Sequence, residues 1–192
     1  MQKESLNLRF GVIAAIVFVA AAARLLPHPS NVTPVGAMAL FGGAYFGRKW
    51  SAYLIPLCAL LLSDVVLNNV VYRAYFPTFT LFYSGALWQY LGFVAIVGLG
   101  WLLLKRVSIL NVVLVSLLAS GLFFLVSNFG VWSSGGMGYP KTGAGLMGCY
   151  VAGLPFFLNT LVGDLVWCGI LFGGFEMAKQ RFSRLSLTSS IS

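Results

Sequence analysis

Apolar runs separated by short polar breaks cover residues 10–26, 34–47, 50–70, 84–104, 109–129 and 151–175. Most reach the ~20 residues that a helix needs to cross a bilayer. None alternates apolar with polar positions as the strands of an outer-membrane barrel do. Backbone hydrogen bonds in hydrocarbon have to close within each segment. The pattern therefore predicts an all-α integral membrane protein with six transmembrane helices in one domain, residues 1–182. A serine-rich flexible cytoplasmic tail is expected at 183–192.

The second run is the odd one. As a helix, 34–47 spans about 21 Å at 1.5 Å per residue, short of the ~30 Å hydrocarbon core. Thr33 is placed to cap it and Pro34 suits its first turn. Gly36, Gly42, Gly43 and Gly47, with Ala37, Ala39 and Ala44, leave a nearly side-chain-free surface against which other helices can press. Before it, Pro27 and Pro29 favour extended geometry, so Leu26 to Val32 reads as a stiff crossing. That crossing holds the chain's one histidine, His28, whose titration near neutral pH makes it a candidate switch as well as an ordinary loop residue.

Composition agrees with a membrane location. Of 192 residues, 59% are hydrophobic and 8% charged, against roughly 25% charged in a soluble domain. The net charge of +8 is explained by placement rather than by nucleic acid, which is excluded as a partner. With a cytoplasmic N-terminus, Lys3, Arg9, Arg48, Lys49, Lys105, Arg106, Lys179, Arg181 and Arg184 fall inside, and Arg24, Arg73 and Lys141 outside. Both termini are then cytoplasmic, and the expected location is a bacterial inner membrane. Lys3 and Arg9 before an apolar run ending in Ala21, Ala22 and Ala23 also fit a cleaved signal peptide, so retention of residues 1–23 stays open. Cys58 and Cys168 fall within helices and Cys149 in an outer loop; buried packing is their default, and no Cys/His pair has metal-ligand spacing.

Charges within the apolar runs are costly, about 2.5 to 3.5 kcal/mol for an aspartate at a helix centre. Asp64 and Asp164 are such residues. Counting helical rise from the cytoplasmic ends puts Arg24, Asp64 and Asp164 at a common depth of roughly 18 to 21 Å. They form either a structural ion pair or the floor of an outward-facing cavity. Leu61, Asp64, Asn68 and Tyr72 make one helical stripe; Thr160, Asp164, Trp167 and Cys168 another; Ser116, Ser120 and Ser127 a third, with Asn128 beside it. The aromatic loop 71–83 and the glycine-rich break 130–150 are long enough to fold over a small molecule. The candidate substrate-binding residues are Asp64, Asn68, Trp88, Asn128, Trp132, Tyr139, Tyr150, Asn159 and Asp164. HExxH, GxSxG and P-loop motifs are missing; neither catalysis, a cofactor nor a metal is expected.

Several phrases carry a resemblance: RLLPHPSNVTPVGAMALFGGAYFG at 24–47, LLSDVVLN, NFGVW, GYPKTGAGLMGCYVAGLPFFLNTLVGDL and LFG, spread over residues 24–173. They resemble a family of small, little-characterised bacterial membrane proteins described as transport proteins. More loosely the chain is similar to the S-components of energy-coupling factor vitamin transporters. That resemblance implies a six-helix bundle with a vitamin-like solute held in an outward-facing pocket under external loops. It also implies docking on an energy-coupling ATPase module through an Ala-x-x-x-Ala face of the first helix. Here Gly11, Ala15, Val19 and Ala23 fit that face except at Val19. The alternative is a non-transporting structural or docking subunit of a membrane complex.

Overall fold

The computed structural model describes residues 2–186, and all regular structure among them is helical. The elements are α1 (Gln2–Ala23), α2 (Val35–Tyr45), α3 (Lys49–Val66), α4 (Ala86–Leu103), α5 (Ile109–Ser133), α6 (Gly143–Cys168) and α7 (Gly174–Arg181). α3 widens into a π-helical turn over Leu67–Val71, and α6 reaches α7 through another over Gly169–Gly173. Among the described residues, five helical segments are long and apolar enough to cross a membrane, α6 through α7 forming one of them; α2 is shorter.

α2 is the hub. It packs against α1, α3, α4, α5 and α6, and Gly36 through Gly43 are all buried. The glycines make this possible. A Cβ on Gly43 would collide with the Val97 carbonyl of α4, one on Gly100 with Leu40 of α2, and one on Gly42 with the Pro56 ring of α3. Backbones therefore approach to van der Waals contact, which is how helices associate where no hydrophobic drive separates side chain from lipid. Around them Met38, Leu40, Phe41, Phe93, Ile96 and Val97 form the closed core. α1 adds Ile13, Val17, Ala20 and Ala21 to it, so the first helix is part of the folded unit.

The short helix runs the depth of the core. Its start lies beside Asp164 of α6, and at its finish the Tyr45 hydroxyl donates to Glu176 of α7 at 2.5 Å. Phe46 stacks edge-on against Phe10 of α1 at 5.4 Å. One end of the bundle thus gathers the finish of α1 and the start of α2 (the Arg24 end); the other gathers the start of α1, the finish of α2 and α7 (the Arg48 end).

Several boundaries differ from the hydrophobic runs. α1 starts eight residues before the run 10–26, because polar residues such as Glu4 and Asn7 end an apolar run without ending a helix, and it stops at Ala23; α5 carries on past 129 to Ser133. The 130–150 break shrinks to 134–142. Thr142 caps α6, its hydroxyl accepting from the Gly145 amide at 3.2 Å, and Cys149 lies buried in that helix rather than in a loop. α2 is shorter than 34–47, with Pro34 at its N-cap and no side-chain cap from its own segment; Thr33 does not play that part. Of the expected tail, Ser183–Leu185 forms a 3₁₀ turn that packs on α1 and buries Leu185; residues 187–192 lie outside the described residues.

Candidate functional site

At the Arg24 end the polar residues of four elements converge. Arg24, in the turn that closes α1, places Nη2 2.8 Å from Asp64 Oδ1 and donates from Nη1 to the Ser63 hydroxyl at 2.5 Å. Both charged side chains are buried. From α4 the Tyr90 hydroxyl donates to Asp64 Oδ2 at 3.0 Å, with Gln89 Nε2 at 3.5 Å. Tyr83, in the loop before α4, donates its hydroxyl to Gln89 Oε1. Burial, and after it the Asp64 carboxylate, push the Tyr83 phenol up to about 12, so it remains a donor. The Arg24–Asp64 pair expected from depth counting is present.

Asp164 is not its third member. It has no ion pair among the described residues; Ser120 of α5 donates to its Oδ2 at 2.6 Å, and it accepts the backbone amide of Ala37. A Cβ on Gly36 would fall on its carboxylate. Asp164 is therefore the N-terminal cap of α2, supplied from another helix. The first amides of a helix lack partners and carry partial positive charge, and a carboxylate answers both needs.

Three adjacent cavities that share walls surround these groups. One of about 180 Å³ touches Arg24, Gln89, Thr33, Gly36 and Asp164. It shares Asn31, Phe123 and Thr160 with a second, of about 420 Å³, whose walls include Asn128, Tyr139 and Cys149. It shares Arg24 and Gln89 with a third, of about 260 Å³, bounded by Asp64, Asn68, Tyr72, Phe76 and Tyr83. Two buried donors beside the third cavity have no partner among the described residues: Arg24 Nε and Asn68 Nδ2. Asn68 lies in the π-helical turn that follows Asp64, a distortion that often accompanies functional positions.

Of the residues picked from sequence, Asp64, Asn68, Asn128, Tyr139, Asp164 and Arg24 thus line these cavities. Trp88, Trp132, Tyr150 and Asn159 line none of the three. Trp88 fills the space over Gly130 and meets Phe129 edge-on. Trp132 Nε1 donates to the Pro140 carbonyl at 2.8 Å, and Lys141 folds back over its ring and onto its carbonyl, closing the 134–142 loop on itself. Tyr150 donates to the Leu125 carbonyl at 3.0 Å, tying α6 to α5. Asn159 donates to the Ser30 carbonyl at 3.0 Å and pins the α1–α2 crossing to α6. His28 keeps its ring nitrogens on the carbonyls of Pro29 and Arg24, within its own loop.

Gln89, Tyr90, Tyr83, Asn31 and Phe123 were not singled out from sequence. Gln89 and Tyr90 follow Trp88 directly, and two polar groups beside an apolar run of α4 are the signal that would have found them. Asn31 sits at φ 65°, a left-handed conformation that asparagine tolerates, where it borders two of the cavities. Asn69 is another: its side chain pairs with both backbone groups of Thr80, at 2.8 and 2.9 Å, like one rung of a sheet, and fixes the aromatic loop over the third cavity.

Neither the curated proteins nor the solved structures contain a match to the chain. A family profile matches residues 4–185, nearly everything described above, and the chain belongs to that family, DUF6580, a family of unknown function.

Proposed function

We propose that the protein is a membrane transport protein that binds a small, micronutrient-like solute at the Arg24 end and mediates its uptake across a bacterial inner membrane. One observation carries this reading. Buried donors on Arg24 and Asn68, without partners among the described residues, stand beside a row of adjacent cavities. A buried donor without a partner costs about 1 to 3 kcal/mol, a cost that a solute acceptor removes on binding. Aromatic walls from Tyr72, Phe76 and Tyr83 in the third cavity, and from Phe123 in the first, suit a flat ring. Under this reading the Arg24 end faces outward. Nine basic residues then lie on the cytoplasmic side at described positions, α2 completes six passes, and both termini are inside. Any ATPase module would dock on α1, where Gly11, Ala15 and Val19 face away from the bundle.

The test is a thermal-shift screen of the detergent-purified protein against vitamins, nucleobase derivatives and cofactor precursors. A ligand of the folded state adds about 2.7 kcal/mol at a hundredfold excess over its dissociation constant. Asn68→Leu removes an unpartnered donor, so it leaves the melting temperature level or higher and abolishes the ligand shift. A shift that survives Asn68→Leu refutes the placement of the site.

The second reading, a structural or docking subunit, is favoured by one feature: Asp64 and Asp164 both find their partners inside the chain. A flat screen together with a stoichiometric membrane partner on purification selects it.

A further inference from the structure

The Arg48 end holds a cavity of about 470 Å³ that the proposed transport cycle does not use. It opens between the first turns of α1 and the α2–α3 connection, far in sequence but joined by the Phe10–Phe46 ring contact that forms its floor. Two arginines from different elements border it, Arg9 of α1 and Arg48 just before α3, together with Asn7 and Ser51. Ser51 is buried and donates to the Arg48 carbonyl at 2.9 Å, which fixes the backbone from which the Arg48 side chain extends. Arg48 makes no ion pair among the described residues. Arg9 lies within electrostatic reach of Tyr45 and Glu176.

The surroundings are basic as well. Arg9, Arg48, Lys49, Lys105, Arg106, Lys179, Arg181 and Arg184 belong to this end, against Glu4 and Glu176. Location then narrows the choice of anion. With five segments long and apolar enough to cross a membrane, this end lies at the boundary of the bilayer in the proposed orientation. Trp50 stands at the mouth, half exposed, and Phe10 is 40% exposed beside it. An indole and a phenyl ring flanking two guanidinium groups match the layering of a phospholipid, with glycerol and acyl carbons against the rings and phosphate oxygens against the forks.

We infer that this cavity binds the phosphate of an anionic phospholipid, held by Arg9 and Arg48 from two elements and so bracing the start of α1 against α2. The inference is independent of what the Arg24 end binds.

Native mass spectrometry of the full chain, released from an uncharged detergent with added phosphatidylglycerol or phosphatidylcholine, tests it. The expected result is one phosphatidylglycerol retained per chain, at least tenfold more strongly than phosphatidylcholine. Arg48→Gln, at an exposed position where folding is not at stake, weakens retention about tenfold. Lys105→Gln removes the same charge from the same end, outside the cavity, and leaves retention unchanged. Equal retention of the two lipids overturns the inference, as does equal loss with Lys105→Gln, which would reduce it to surface charge. Stabilisation by glycerol 3-phosphate matching that by phosphatidylglycerol would show that a soluble phosphate suffices, and would overturn the lipid assignment.

Discussion

Asp164 of α6 accepts a hydrogen bond from the backbone amide of Ala37, in the first turn of α2, across 127 positions of sequence. The short helix at the centre of the bundle thus takes its cap from a helix that comes much later in the chain. Asp164→Ala removes both this cap and the acceptor of Ser120. Caps are worth about 0.5 to 2 kcal/mol and a hydrogen bond about 1, so the expected loss is about 2 kcal/mol. Asp164→Asn keeps an oxygen for the amide and loses less. Thr33→Ala, at the position that looks like the cap in the sequence, leaves stability unchanged. Melting of the three variants in detergent checks the order; a larger loss for Thr33→Ala than for Asp164→Asn would refute it.

The glycines divide into two classes that sequence does not distinguish. At Gly43 and Gly100 a methyl group meets backbone of the neighbouring helix, which cannot move aside. Gly43→Ala and Gly100→Ala are therefore expected to cost more than the usual 1 to 3 kcal/mol of overpacking. At Gly11 a methyl group would have nothing within 4 Å. There the same change gains up to about 1 kcal/mol of helix propensity. Expression and melting temperature of the three single variants measure the contrast, and equal behaviour would mean that α2 does not pack as described.

One side chain ties the middle of the α3–α4 loop to α3. Asn69 holds the Thr80 amide and carbonyl and also donates to the Val65 carbonyl at 2.8 Å. Asn69→Ala is expected to free residues 72–85 while the bundle melts almost normally. Amide hydrogen exchange is the measurement: faster exchange confined to that loop supports the assignment, and unchanged protection there rejects it.

What could be read beforehand follows physical range. The apolar runs marked the crossing segments, and rise per residue brought Arg24 level with Asp64, because both depend on local spacing alone. The close packing of α2 was visible in Gly36, Gly42 and Gly43 for the same reason. The start of α6 was missed: six glycines after Gly130 look like a flexible break, although Thr142 before the apolar run is a capping signal. Glycine in a membrane helix reports a close neighbour as often as a turn, and Gly145 lies against the Pro140 carbonyl. The cap from Asp164 and the rung between Asn69 and Thr80 depend on tertiary placement, which no window of sequence contains. Trp88, Trp132 and Tyr150 illustrate the converse, since aromatic residues near helix ends pack, anchor or bind with the same appearance in sequence.

The Arg24–Asp64 pair supports a prediction about asymmetry. With both side chains buried, removing one partner strands the other, commonly at about 3 to 5 kcal/mol. The two halves do not respond alike. After Arg24→Met, Asp64 keeps two donors, the Tyr90 hydroxyl and the Gln89 amide. After Asp64→Leu, the Arg24 guanidinium keeps only the Ser63 hydroxyl. Asp64→Leu is thus expected to be the more destabilising single change, and the double variant to recover most of the loss. Solute binding at the Arg24 end is expected to stay absent in the double variant, because the donor on Arg24 is gone even though the fold is restored. A double-mutant cycle in detergent, scored by melting and by ligand shift, separates these effects. If Arg24→Met proves the costlier change, or if the double variant still binds, the pair is a fold element alone and the solute sits elsewhere in the adjacent cavities.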